Sequence, residues 1–348
     1  MKDDDGSADI PPAVAAGAEG SAANDDPWAA LSEASPETLS LAEVRRPSVL
    51  YKRYVGMVSA MDRIFKAIAR KGSSEARVVD DIVQQILTAV RDKSGGFINY
   101  ILGGEVRRFE LAKNAVNTAI LSAYIALEMK FPSHRILQTI TGALLHDAGM
   151  LRLPQELVKK TGALSAEELR RMQTHTLYSY RIVHEELRYP PEMGALVLQH
   201  HENWDGSGYP QGIAGEEIHF GARIVSVCDA FEAMVSEKPY RNSLLGYQAM
   251  KNIMADNARR FAPEELKAFI VIMGIYPIGS IVLLNNGSIA RVAKVRKDAP
   301  LRPVVATLAD PSGKVFQPDQ GEKIDLRLNK TLYIVRAINP GELTKDAL

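Results

Sequence analysis

The sequence predicts a mainly α protein that closes with a small antiparallel β domain. Three observations carry this. From Phe97 to about Tyr276, apolar residues recur at helical spacing, with capping and breaking residues between the runs. After Pro277 the pattern turns to short β-branched runs at Ser280–Leu284, Ile289–Val295, Val304–Leu308 and Leu332–Ile338. Asn285-Asn286-Gly287 separates the first two, and Asn-Gly is a strong hairpin signal.

The elements follow in order. Residues 1–45 are rich in Ala, Gly, Ser, Pro and acid, with few large apolar groups, and read as a disordered tail. The helical region 46–95 holds two amphipathic stripes. One runs through Val55, Val58, Met61, Ile64, Phe65 and Ile68, the other through Val79, Ile82, Val83, Ile86, Leu87 and Val90. Each must pack on something, either the main domain or a second copy of the chain. Ser94-Gly95-Gly96 then opens the main region, 96–276. Phe109–Met129 is apolar on more than one face, as a buried central helix is, and Phe131-Pro132 ends it. A helix over His134–His146 is followed by Gly149 and Pro154. Ser165-x-x-Glu168 is a capping box, which starts a helix expected to run through His175 to about Glu186. Pro190-Pro191 precede a helix carrying His200 and His201, and another begins near Ala222. Pro263-Glu264-Glu265 opens the last, stopped by Gly274 and Pro277. The region 277–348 is the β domain.

Composition excludes several classes. Lysine plus arginine equals aspartate plus glutamate, 42 each. No global field draws in a nucleic acid polymer or an anionic membrane, so an anion site must be built locally. Cys228 is the single cysteine, which excludes an intrachain disulfide and fits a reducing cytoplasm. Met1-Lys2-Asp3-Asp4-Asp5 with no apolar run after it predicts no secretory leader. No run of about 18 apolar residues predicts a membrane span.

The chemistry gathers in two places. His146-Asp147 ends an apolar helix, where a desolvated carboxylate is costly unless paired or metal-bound. His200-His201-Glu202-Asn203-Trp204-Asp205-Gly206-Ser207-Gly208-Tyr209-Pro210 joins adjacent imidazoles to a tight turn. His175 lies on the helix between, and Asp229 follows the apolar run Ile224–Cys228. Four imidazoles and two carboxylates from successive helices suit iron, manganese or zinc.

In this order and spacing the blocks resemble the HD-GYP domain of the HD phosphohydrolase superfamily. They are His146-Asp147-x-Gly149, His175, His200-His201-Glu202-x-x-Asp205-Gly206-x-Gly208-Tyr209-Pro210, Asp229 and Pro239-Tyr240-Arg241. The resemblance covers about residues 97–276. It implies an all-helical core and a cytoplasmic, metal-dependent phosphodiesterase in which a metal-bridging hydroxide cuts cyclic di-GMP to pGpG and/or GMP. It implies two divalent metals, three in some members, with iron or manganese usual. Carried over by position, His146, His175, His200 and His201 are metal ligands, and Asp147 is the bridging, catalytic carboxylate. Asp229, Glu232 and Glu110 are further ligands. Tyr209 shapes the substrate pocket, Lys238 and Arg241 hold phosphate, and Asp205 orients the histidines or the loop.

Two positions depart from the family pattern. Asn114 stands where the family has a histidine, one helical turn after Glu110, and a neutral amide is the poorer ligand. Met150 replaces the lysine of His-Asp-x-Gly-Lys, removing a cation near the phosphate. These favour the alternative reading, a receptor that binds cyclic di-GMP without cutting it. Such a receptor would signal through the N-terminal helices, as a homodimer or to a partner protein.

Overall fold

A computed structural model describes residues 49–70, 76–91, 96–103, 110–236, 246–256, 259–316 and 320–338. The tail 1–45 with its apolar pair Trp28 and Leu31, and the phosphate-binding candidates Lys238 and Arg241, lie outside the described residues.

Three helices come first: α1 (Val49–Ala69), α2 (Ala76–Arg91) and α3 (Gly96–Gly103). The helix α4 (Glu110–Glu128) is the central one. It buries Ala115, Ile120, Leu121 and Ile125 on several faces, as its all-round apolar sequence requires. Each large aliphatic group among these contributes about 1.5–3 kcal/mol on burial. The helix α5 (Ser133–Leu145) packs along α4, and a tight turn over Ala148–Arg152 follows. Next come α6 (Gln155–Val158), α7 (Ala166–Gln173), α8 (His175–Tyr180) and α9 (Pro191–Gln199). The helical body ends with α10 (Phe220–Val235), α11 (Gly246–Ala255) and α12 (Pro263–Met273).

The stripes of α1 and α2 are buried as their spacing predicts, with Met61, Ile64, Val79, Ile82 and Ile86 at or near zero exposure. They pack on α4 and α5, and one apolar core runs without a break from Tyr54 to Met273. The N-terminal helices therefore share the core of the main body.

The capping box at Ser165 forms in both directions, Glu168 N–H to Ser165 Oγ and Ser165 N–H to Glu168. The helix it starts breaks at Thr174, then resumes at His175 and runs on through a π-helical segment, Arg181–Glu186, to the end the sequence predicts. Thr174 Oγ1 donates to the Arg171 carbonyl and His175 Nδ1 lies 2.8 Å from the Met172 carbonyl. These side chains divert the acceptors that would carry the helix on, so a new helix begins at His175.

The β region is a five-stranded antiparallel sheet of order β4-β3-β2-β1-β5. Its strands are β1 (Ile281–Leu284), β2 (Ile289–Lys294), β3 (Val304–Ala309), β4 (Lys323–Asp325) and β5 (Ile334–Ile338). The Asn285-Asn286-Gly287 hairpin pairs Leu283 with Ile289. The strand β4 has no alternating apolar pattern and was not legible in the sequence. Tyr276 stacks on Tyr247, with ring centroids 5.1 Å apart, and ties the sheet region to the helical body. No helix among the described residues is long and apolar enough to cross a membrane.

Candidate metal centre

Three helix boundaries converge on one point. His146 caps the end of α5, His200 caps the end of α9, and His175 is the first residue of α8. Each imidazole is oriented in the same way. Nδ1 of His146, His175 and His200 lies 2.7, 2.8 and 2.8 Å from the carbonyl three residues earlier. A carbonyl only accepts, so Nδ1 carries a proton in all three rings and Nε2 is the nitrogen each turns to the shared space. All three Nε2 atoms are buried without a hydrogen-bond partner. A buried polar atom left unsatisfied costs about 1–3 kcal/mol. Three buried ring nitrogens turned to one space, beside two carboxylates, are a donor set that fits a cation.

Asp147 faces them with both oxygens. Its Oδ1 lies 3.3 Å from His175 Nε2 and 3.8 Å from His200 Nε2. Its Oδ2 lies 3.6 Å from His146 Nε2, and Asp229 Oδ1 approaches the same nitrogen at 3.5 Å. Two ligands each about 2.1 Å from one ion, at angles between octahedral and tetrahedral, are about 3.0–3.5 Å apart; the 3.3 and 3.5 Å spacings fall in that range, and 3.6 and 3.8 Å lie just above it. Two groups result, Asp147-His175-His200-His201 and His146-Asp147-Asp229, each with donor atoms within 4.8 Å of one another. They share Asp147.

The electrostatics of the two groups differ. Burial pushes the His200 imidazolium well down, reinforced by His201, His146 and His175. Burial likewise lowers His201 to about 4, against the pull of Asp229 and Asp147. At His146 burial also disfavours the charge. There the two carboxylates and the Ala143 carbonyl outweigh it and raise the imidazole to about 9.

Close backbone contacts hold the parts together. A Cβ on Gly149 would stand 1.9 Å from the His175 carbonyl oxygen, so only glycine lets the turn after Asp147 lie against α8. Ser179 locks that contact, donating to the His146 carbonyl at 2.6 Å and accepting from Gly149 N–H at 2.9 Å. Gly208 plays the same part on the other side, where a Cβ would meet Asn203 N at 2.3 Å. The turn it permits brings Tyr209 N–H to the His201 carbonyl and stacks the phenol ring on the His201 imidazole, 4.9 Å between centroids. The Tyr209-Pro210 peptide is cis.

Glu202 was present in the motif, but the sequence offered no role for it. It is buried, and its carboxylate accepts the backbone N–H groups of Gln211 and Gly212. It clamps the loop that carries Tyr209. Asp205 bends the same loop, accepting from Ser207 N–H and Oγ at 3.0 and 2.6 Å, and has no recorded contact with the histidines.

Glu232 and Glu110, expected as ligands, join neither group among the described residues. Glu110 is exposed at the first turn of α4. Glu232 is fully buried and accepts from Asn117 and Ser236, because its side chain faces α4. Asn114 is half-buried on α4.

Comparison with known proteins agrees with this geometry. Residues 104–264 match the HD domain model, and residues 281–346 match a KOW domain associated with HD domain. The HD domain family binds divalent metals, and the His/Asp cluster of this chain has the donors to do so. The chain is 27% identical over 288 residues to a cyclic di-GMP phosphodiesterase of Pseudomonas aeruginosa, covering 82% of this chain and 68% of that one. It is 28% identical to the cyclic di-GMP phosphodiesterase PdeB of Borreliella burgdorferi, covering 66% of this chain and 60% of the relative. Among solved structures, an HDG"Y"P protein of Bdellovibrio bacteriovorus superposes with TM-score 0.53 at 15% identity, covering 69% of this chain and 76% of that one. That likeness speaks for the fold. The resemblance to HD-GYP proteins read from the sequence is thereby borne out.

Proposed function

We propose that the chain is a cyclic di-GMP phosphodiesterase with two divalent metals, iron or manganese, held at the two groups that share Asp147. The observation that carries this is the set of three buried Nε2 atoms facing both oxygens of one carboxylate. The relatives named as cyclic di-GMP phosphodiesterases support the substrate. Each group has at least three His and Asp donors with Asn114 left aside, which favours the enzyme over a receptor that only binds.

Bound divalent metals supply Lewis acidity and a water of lowered pKa. The protein does the rest. Asp147 holds both metal positions in one frame. His200 and His201 stay neutral and ready to coordinate, and His175 turns its Nε2 to the same point. Tyr209, stacked on His201, walls the site and fixes where the substrate lies. Lys238 and Arg241 neutralise phosphate charge as it develops.

The test is anaerobic purification, metal counting and incubation with cyclic di-GMP, following pGpG and GMP. Turnover should appear in the wild type and vanish in His201→Ala and Asp147→Ala. Retained activity in either variant would sink the site assignment, and intact cyclic di-GMP on fully loaded wild type would sink the activity.

A further inference from the structure

A second set of buried polar groups lies beside the centre and is not used by the chemistry above. Tyr54 on α1 donates its hydroxyl to Asn117 Oδ1 at 2.8 Å. Asn117 Nδ2 on α4 donates to Glu232 Oε1 on α10 at 3.1 Å. Ser236, just past the end of α10, donates to the same oxygen at 2.5 Å. Tyr54, Asn117 and Glu232 are each at most 1% exposed. The donors run in one direction, from the N-terminal helix to the carboxylate. Burial and the nearby Glu232 carboxylate push the Tyr54 phenol up, so it stays a donor.

Apolar residues of the same volume would pack this core at least as well, so stability alone does not account for the network. Its placement does. Glu232 follows Asp229 by three residues on α10, so the two side chains leave the helix about 60° apart. A contact that fixes Glu232 under Asn117 therefore fixes the direction of Asp229. Asp229 belongs to the group that has a single histidine, where each ligand counts most.

We propose that Glu232 is a positioning residue for the His146-Asp147-Asp229 metal position, with Asn117 as relay and Tyr54 as its anchor in the N-terminal helix. The inference rests on the two-metal reading proposed above. A change in the packing of α1 would reach the centre along this path and act on one metal position and not the other.

The test is a Mn2+ titration of the purified full chain, read as metal bound per chain, with melting temperature measured alongside. Glu232→Ala should weaken the second equivalent by about tenfold, the scale of losing a supporting partner of a ligand, and leave the first unchanged. Tyr54→Phe removes one hydroxyl and keeps the ring against Tyr100 and Phe97. It should weaken the second equivalent in the same direction by less. Glu232→Gln keeps the acceptor oxygen and should recover most of the loss. Both equivalents weakening together, or a lower melting temperature with unchanged metal affinities, would overturn the proposal alone. A wild type that takes up a single equivalent at saturation would overturn the two-metal reading and this proposal with it.

Discussion

The two halves of the centre share one carboxylate and otherwise differ. One half has three histidines and Asp147, the other one histidine and two aspartates. In the first, burial and the neighbouring imidazoles keep His200 and His201 neutral. In the second, two carboxylates around one imidazole hold a proton on it up to about pH 9. A cation entering the first half displaces no proton from His200 or His201 at neutral pH. A cation entering the second must displace the proton of His146. On the two-metal reading, proton competition would therefore act on the second half.

The largest expected effect is at the shared residue. Asp147→Ala should remove both metals and all turnover, and a variant that still bound one metal tightly would show that the halves are independent. Next come single-half variants. His201→Ala should strip the first position. Asp229→Ala should leave one tight equivalent and abolish turnover. If Asp229→Ala released both metals, the division into halves would be wrong.

The pH dependence separates the halves next. The second equivalent should weaken by about tenfold for each pH unit below 9, as protons compete at His146, while the first holds until His201 protonates near pH 4. The metal-free protein should show opposite slopes. The raised His146 stabilises the fold below its unfolded value of 6.5, and that contribution is lost as pH rises through 9. The lowered His201 takes up a proton in the unfolded chain first, so stability falls as pH drops from 6.5 towards 4. Melting curves of chelator-treated protein across this range check both signs.

The smallest effect concerns the hinge between the halves. Ser179→Ala removes the hydroxyl that joins the His146 carbonyl to Gly149 N–H. It should cost about 1–3 kcal/mol of stability through the groups left unpaired, and should lower the affinity of both positions. An effect on stability with none on metal would show that the turn holds its shape without the bond.

Much of this was legible in the sequence because imidazoles and acids beside apolar runs have few other uses. His146, Asp147, His175, His200, His201 and Asp229 come together from four separate elements, and periodicity placed those helices nearly to their ends. The asymmetry was not legible, since spacing does not say which oxygen of Asp147 faces which imidazole. Glu232 sits at a motif position, yet its carboxylate accepts from Asn117, 115 residues away, a contact that no spacing marks. Glu202 was passed over for a similar reason: its partners are backbone N–H groups, which no residue pattern marks. The strand β4 escaped because its three residues carry charge at both ends and leave Ile324 as a lone apolar residue.

The most direct measurement is an equilibrium titration of Mn2+ into metal-free protein at two pH values, about two units apart and both below 9. The expected result is two equivalents per chain, the first constant and the second tightening by about a hundredfold at the higher pH. A single equivalent, or two whose affinities move together, would contradict the two unlike halves.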